Sequence, residues 1–150
     1  MPSDPARESL VLDSSVLVKW YLEEPDSNEA LEILNKAIDG EIAVLVPDLA
    51  FYEVANALIS SRLYSADQIN RYLEALAALG LTISDFDLNC LHVAVETSME
   101  CKLAIYDSYF VALADLEDLR LVTADEEAAK KTRGISHVVT LAEYIRSERK

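Results

Sequence analysis

Glycine and proline are scarce in this 150-residue chain, three and four respectively, which excludes a linker-rich or low-complexity chain. Histidine is rarer still. The two present, His92 and His137, have no metal-like spacing, so a His/Cys zinc centre is not expected. The two cysteines, Cys90 and Cys101, fall on one predicted helix, where their spacing corresponds to ~16 Å. They cannot pair with each other and are expected as reduced core thiols. No apolar run approaches the ~20 residues that a membrane helix needs. The opening stretch MPSDPARES lacks the basic-then-apolar layout of a signal peptide, so a cytoplasmic protein with no membrane association is expected. Basic residues are also few: 13 Lys and Arg stand against 27 Asp and Glu, a formal net charge of −14. Phosphate affinity rests largely on Lys and Arg, which argues against indiscriminate nucleic-acid binding. It does not exclude an enzyme acting on nucleic acid, because bound divalent ions reverse the local field.

What is present is a 51% hydrophobic, 27% charged chain, long enough to bury a real core as one domain. Residues 1–8 are expected to be a flexible leader and 9–150 the folded domain. Leu10, Val11 and Leu12 make an apolar run that stops abruptly at Asp13, and Ser14 and Ser15 can cap a short helix through Val16 to Trp20. Ala30, Leu31, Ile33, Leu34, Ala37 and Ile38 recur at helical spacing up to Gly40. Ile42 to Val46 reads as a second buried strand. Asp48 is expected to cap a helix over Leu49 to Leu63, and Ser65 with Gln68 forms a capping-box signature for another. A short strand at Leu81 to Ser84 precedes helices over Leu88 to Lys102 and Tyr106 to Leu116. Strands at Arg120 to Thr123 and His137 to Val139 are followed by helices over Glu126 to Arg133 and Leu141 to Arg149. This alternation predicts an α/β fold with a mainly parallel sheet covered on both faces.

Four acids stand in unusually apolar settings. Asp13 and Asp125 end strand-like runs, while Glu53 and Asp107 lie on the two most apolar helices. Each alone has an ordinary structural account: a cap for Asp13 or Asp125, a solvated stripe for Glu53, a helix-dipole partner for Asp107. Jointly they point elsewhere, because parallel strands ending on one side bring such residues together. Clustered carboxylates repel and raise one another's pKa. A hard divalent cation removes that conflict, and oxygen-only ligands suit Mg²⁺ or Mn²⁺. Such a centre can orient and acidify a water and neutralise a phosphodiester in its transition state, so phosphodiester hydrolysis is the expected reaction. Asp13, Glu53 and Asp107 are expected to hold the first ion directly or through waters, with Asp125 completing the shell or serving a second ion. Ser14 and Thr123 are candidates for contacts to water or substrate, and Asn56 for fixing Glu53.

The stretches VLDSSVLVKW, FYEVANAL, IYDSYFVALA and LVTADEE around these four acids resemble, in order, the motifs of the PIN-domain family, most closely its VapC-like toxin ribonucleases. The resemblance runs from about Leu10 to Ile145, and no motif acid is missing. It implies a three-layer fold with a five-stranded parallel sheet, and Mg²⁺- or Mn²⁺-dependent endoribonuclease activity at the four acids. It also implies a homodimer, an RNA substrate, and a small cognate antitoxin that blocks the pocket with a basic side chain. Lys19, Arg62, Lys102, Lys130, Lys131 and Arg133 are the basic candidates for RNA contact. Trp20, Tyr21, Tyr52, Tyr106 and Tyr109 are the aromatic candidates for base stacking, with core or dimer contacts as their alternative use.

Two other readings compete. In one the fold is a catalytically silent module that docks a partner or RNA without cutting it. In the other Asp13 is an acceptor of phosphoryl groups, as in receiver domains or aspartyl phosphatases. The latter normally use a second Asp two positions on, where this chain has Ser15, and Glu53 and Asp107 are left without a role.

Overall fold

Leu10, Val11 and Leu12 have no exposed surface because they form the middle of the sheet, in strand β1 (Glu8–Leu12). The computed structural model describes residues 7–135 and 137–150; most of the expected leader therefore lies outside the described residues. Strand β1 pairs with β2 (Ile42–Pro47) on one side and β4 (Arg120–Thr123) on the other. The short strands β3 (Thr82–Ser84) and β5 (Val138–Thr140) form the edges. The order is β3-β2-β1-β4-β5, and all four pairings are parallel. The chain builds outward from β1 to one edge, then returns to build outward on the other side. This reversal opens a crevice beyond the carboxyl ends of β1 and β4, where open α/β sheets collect ligands.

Among the described residues eight helices connect and cover the strands: α1 (Ser14–Val18), α2 (Ser27–Ile38), α3 (Leu49–Ser61), α4 (Ala66–Ala77), α5 (Leu88–Cys101), α6 (Ile105–Glu117), α7 (Glu126–Lys131) and α8 (Leu141–Glu148). Helix α6 is buried without interruption from Ser108 to Ala114, as its nearly all-apolar sequence demands. It packs against β1, β2 and β4 on one side and α5 on the other. Cys90 and Cys101 are both free and buried on α5. Among the described residues no helix is long and apolar enough to cross a membrane.

The local signals are mostly met. Ser65 and Gln68 form the full capping box of α4, and Asp87 accepts from the N–H groups of Asn89 and Cys90 at the start of α5. Three expectations need correction. Glu8, placed in the leader, is the first residue of β1: it pairs with Arg120, and its other oxygen accepts from the Tyr144 hydroxyl at 3.2 Å. Asp48 does not cap α3 with its side chain, because its backbone is already helical (φ −56°, ψ −30°). The last strand runs one residue later than expected, and its final residue, Thr140, makes a capping box with Glu143 that starts α8.

Trp20 and Tyr21 are structural. The Trp20 indole donates to the Ala30 carbonyl at 2.8 Å, and Tyr21 packs on Tyr72, which in turn meets Tyr64 edge-on at 5.0 Å. The Tyr64 hydroxyl closes this cluster by donating to the Tyr21 carbonyl at 2.6 Å.

Candidate active site

The end of β1 delivers Asp13 directly into the crevice. Its backbone N–H still donates to the Val122 carbonyl at 3.0 Å, so the acid leaves a sheet that is intact up to that residue. Its carboxylate accepts from the Ser15 hydroxyl at 2.5 Å and from the Thr123 hydroxyl at 3.1 Å. Ser15 also accepts from the Ala124 N–H at 2.9 Å, and Thr123 from the Asp125 N–H at 3.0 Å. The two hydroxyls thereby tie the end of β1 to the end of β4. Helix α3 contributes Glu53, whose carboxylate accepts from Ser14 at 3.1 Å. Helix α6 contributes Asp107 in its first turn. Asp125 follows β4 and spends one oxygen on the Ala128 N–H at 3.0 Å, capping α7.

All four predicted acids line one cavity of about 650 Å³, together with Ser14, Ser15, Asn56 and Lys19. Thr123 stands behind Asp13, buried. Asn56 lines the cavity, but among the described residues Glu53's hydrogen-bond partner is Ser14, so the expected tether is corrected from Asn56 to Ser14. Ser15 was legible only as a cap residue; its grip on Asp13 and on the β4 side appears once the strands are adjacent. Of the basic candidates, Lys19 lines the cavity with its ammonium on the Pro25 carbonyl at 2.7 Å, and Lys131 is near enough to lower the Asp107 pKa. Arg133 pairs instead with Glu143. Of the aromatics, Tyr52 and Tyr106 stand at the cavity rim, 75% and 60% exposed, whereas Tyr109 is buried.

The acids perturb one another. Burial pushes Asp13 above the ordinary aspartate value, and the charge of Asp107 pushes it further, against the hydrogen bonds from Ser15 and Thr123. Burial followed by the charge of Asp13 raises Glu53 to about 7, with Ser14 opposing. Asp107 is raised by burial and then by Asp125, with Lys131 opposing. A partly protonated set of acids is what mutual repulsion produces in the absence of a cation.

The donor chemistry suits a hard divalent ion: carboxylate and hydroxyl oxygens, no sulfur, no imidazole. The spacing suits a hydrated one. Among the described residues no three acids stand close enough together to grip an ion directly, and Mg²⁺ usually keeps several of its waters. The residues fit such an ion held in part through waters.

Comparison with known proteins agrees with this geometry. The family model of the PIN domain matches residues 10–134. Ribonuclease VapC3 of Pyrobaculum aerophilum is 31% identical over 127 residues, covering 81% of this chain and 93% of that protein. COP9 signalosome complex subunit 11 of Candida glabrata is 30% identical over 97 residues, 65% of this chain, and this chain spans only 21% of that much longer protein. Among solved structures, a toxin–antitoxin complex from Klebsiella pneumoniae superposes with a TM-score of 0.65 at 21% identity, over 88% of this chain and 97% of that one. At that identity the likeness speaks for the fold alone. With its parallel sheet, its acids at the sheet's carboxyl edge and a family match across most of its length, this chain belongs to the PIN-domain family, on the side of its VapC-like ribonucleases.

Proposed function

We infer that the protein is a VapC-type ribonuclease, the toxin of a type II toxin–antitoxin pair, and that it hydrolyses RNA phosphodiester bonds in the four-acid cavity. The observation that carries this reading is that Asp13, Glu53, Asp107 and Asp125, from four separate elements, line one cavity at the sheet's switch point. The resemblance to Ribonuclease VapC3 supports the activity, and the fold shared with a toxin–antitoxin complex is in keeping with a cognate antitoxin.

Mg²⁺ or Mn²⁺ supplies, when bound, an acidified water and charge neutralisation at the phosphate. Asp13, Glu53 and Asp107 would hold it directly or through waters, and Asp125 would complete the set or serve a second ion. Ser15 and Thr123 fix the Asp13 carboxylate in one orientation, and Ser14 does the same for Glu53. Such partners are normally as decisive as the ligands they aim. The low-dielectric floor beneath Asp13 strengthens each of these interactions. The same acids form a receptor for a basic side chain of an antitoxin, which would compete directly with the cation. A homodimer working in the cytoplasm completes this reading.

The alternative reading is a PIN module that binds without cutting. One experiment separates the two. Partner-free protein is incubated with a structured RNA pool and Mg²⁺ or Mn²⁺, alongside an EDTA control and Asp107→Asn, with circular dichroism to establish that both proteins are folded. Metal-dependent cleavage that the variant loses establishes the nuclease. Cleavage that survives EDTA or the substitution removes the four-acid mechanism.

A further inference from the structure

Beside the acid cavity lies a second, nearly apolar pocket of about 380 Å³. The two share Leu49, Tyr52 and Tyr106 as walls. Their adjacency is written into the sequence: Tyr52 immediately precedes Glu53 on α3, and Tyr106 immediately precedes Asp107 on α6. A step of one residue turns a helix by about 100°, so each helix can present its acid to one pocket and its tyrosine to the boundary with the other. Phe86, 65% exposed, and the buried Tyr109 also line it. Two large aromatic rings held open to solvent beside a cluster of carboxylates have no core to fill.

The pocket has one charged lining residue, Asp48. Its carboxylate makes no capping bond to α3, and no side-chain hydrogen bond occupies it among the described residues. An ionised carboxylate only accepts hydrogen bonds. A base edge facing it must therefore present donors, and two adjacent donors match its two oxygens best. Guanine alone among the four RNA bases offers that pair, N1–H beside the N2 amino group. Adenine and cytosine set a ring acceptor next to their amino group, and uracil flanks its N3–H with two carbonyls, so each would bring a lone pair against the carboxylate.

We propose that this pocket binds a guanine base next to the scissile phosphate, stacked on Tyr52 and Tyr106, with Asp48 accepting from its N1–H and N2 amino group. The inference rests on the ribonuclease reading of the acid cavity and gives it a base preference. The continuity of the two pockets favours this occupant: a nucleotide whose phosphate lies among the acids has its base within reach of the shared tyrosines. Stacking on an aromatic side chain changes affinity by ~5- to 150-fold per base.

The test has two arms. In the first, a random-sequence RNA library is cleaved with Mn²⁺ and the new ends are sequenced, for the protein as found and for Asp48→Asn and Tyr52→Ala. Guanine enriched about tenfold or more at one position flanking the cut is expected. Asp48→Asn should abolish that preference, and Tyr52→Ala should raise KM about tenfold for every base. Cleavage without guanine preference, or a preference indifferent to Asp48, overturns the proposal and leaves the nuclease standing. In the second arm GMP, AMP, CMP and UMP are titrated and followed by NMR shifts of the tyrosine rings, which needs no catalysis. Tighter binding of GMP that Asp48→Asn removes supports the pocket even if no RNA is cut. Equal binding of all four overturns it, as does a Tyr52→Ala variant that splits a dimer while leaving base preference intact.

Discussion

On the proposed metal-site reading, the raised Glu53 pKa should make cation binding strongly pH-dependent, and the size of the effect follows from the site. With its pKa at about 7, Glu53 is ~9% ionised at pH 6 and ~91% at pH 8. A cation that needs the ionised form therefore binds about tenfold more weakly at pH 6, a difference of ~1.4 kcal/mol, and expels about half a proton per site at pH 7. The assay is calorimetric titration of Mn²⁺ at pH 6, 7 and 8, repeated in two buffers of different ionisation enthalpy so that proton release is read from the difference in heat. Glu53→Gln should bind more weakly at pH 8 and lose most of the pH dependence. The same group sets the sign of the stability profile without metal. Its folded pKa lies above its ordinary 4.5, so its contribution to stability is fully present below pH 4.5 and is lost as pH rises through about 7. Unscreened, that amounts to ~3 kcal/mol; partial exposure of the carboxyl to solvent reduces it to ~1–2 kcal/mol. Affinities at pH 6 and 8 that agree within about twofold, with no proton released, would falsify the picture of Glu53 as an uncompensated acid awaiting a cation.

Three further outcomes are expected. Asp107→Asn should reduce cleavage by ~100-fold or more, while the metal-free protein melts no lower than the parent, because the substitution removes a charge that repels Asp13; a large drop in Tm would instead make Asp107 a folding residue. Ser15→Ala removes the 2.5 Å bond to Asp13 and the acceptor for Ala124 N–H, and should weaken Mn²⁺ binding by ~10-fold or more; titration showing less than a twofold change would refute its role in aiming Asp13. Ser108 carries a buried hydroxyl with no partner among the described residues, so Ser108→Ala should stabilise the protein by ~1 kcal/mol, a rise of ~2–4 °C in Tm by calorimetry; a fall would mean the hydroxyl is bonded to trapped water.

The strand acids were the most legible part of the site. Leu10–Leu12 and Leu121–Ala124 are apolar runs that end at a carboxylate, and in a parallel sheet such ends share an edge. Glu53 and Asp107 were weaker signals, since a lone acid on an apolar helix is compatible with a solvated stripe or a dipole partner until its neighbours are known. Ser15 could not be read for what it does: Ser14 and Ser15 are equally good helix starters, and only the placement of β4 beside β1 puts Thr123 and Ala124 against the second of them. Asp48 reads as a cap because Asp after Pro before a helix usually is one; its own helical backbone leaves the carboxylate free instead. The tyrosines split for a tertiary reason. Tyr106 and Tyr109 are three residues apart on α6, nearly on one face, yet one lies at an open rim and the other beneath it, where the Asp87 N–H donates to its hydroxyl at 3.2 Å.

The bonds from Ser15 and Thr123 that clasp the ends of β1 and β4 also set a timetable. Thr123 lies 110 residues downstream of the Asp13 carboxylate it holds, so the two can meet only after every residue between them exists and the late strand has slotted in beside the first. Contacts of such sequence separation form slowly, and synthesis proceeds from the N-terminus. Chains that stop or are cut before β4 carry Asp13, Glu53 and Asp107 but neither the clasp nor Asp125. In such chains the Asp13 carboxylate has no hydroxyl from β4 to fix it, so the four-acid cavity is completed by the last of its contributing elements to be made.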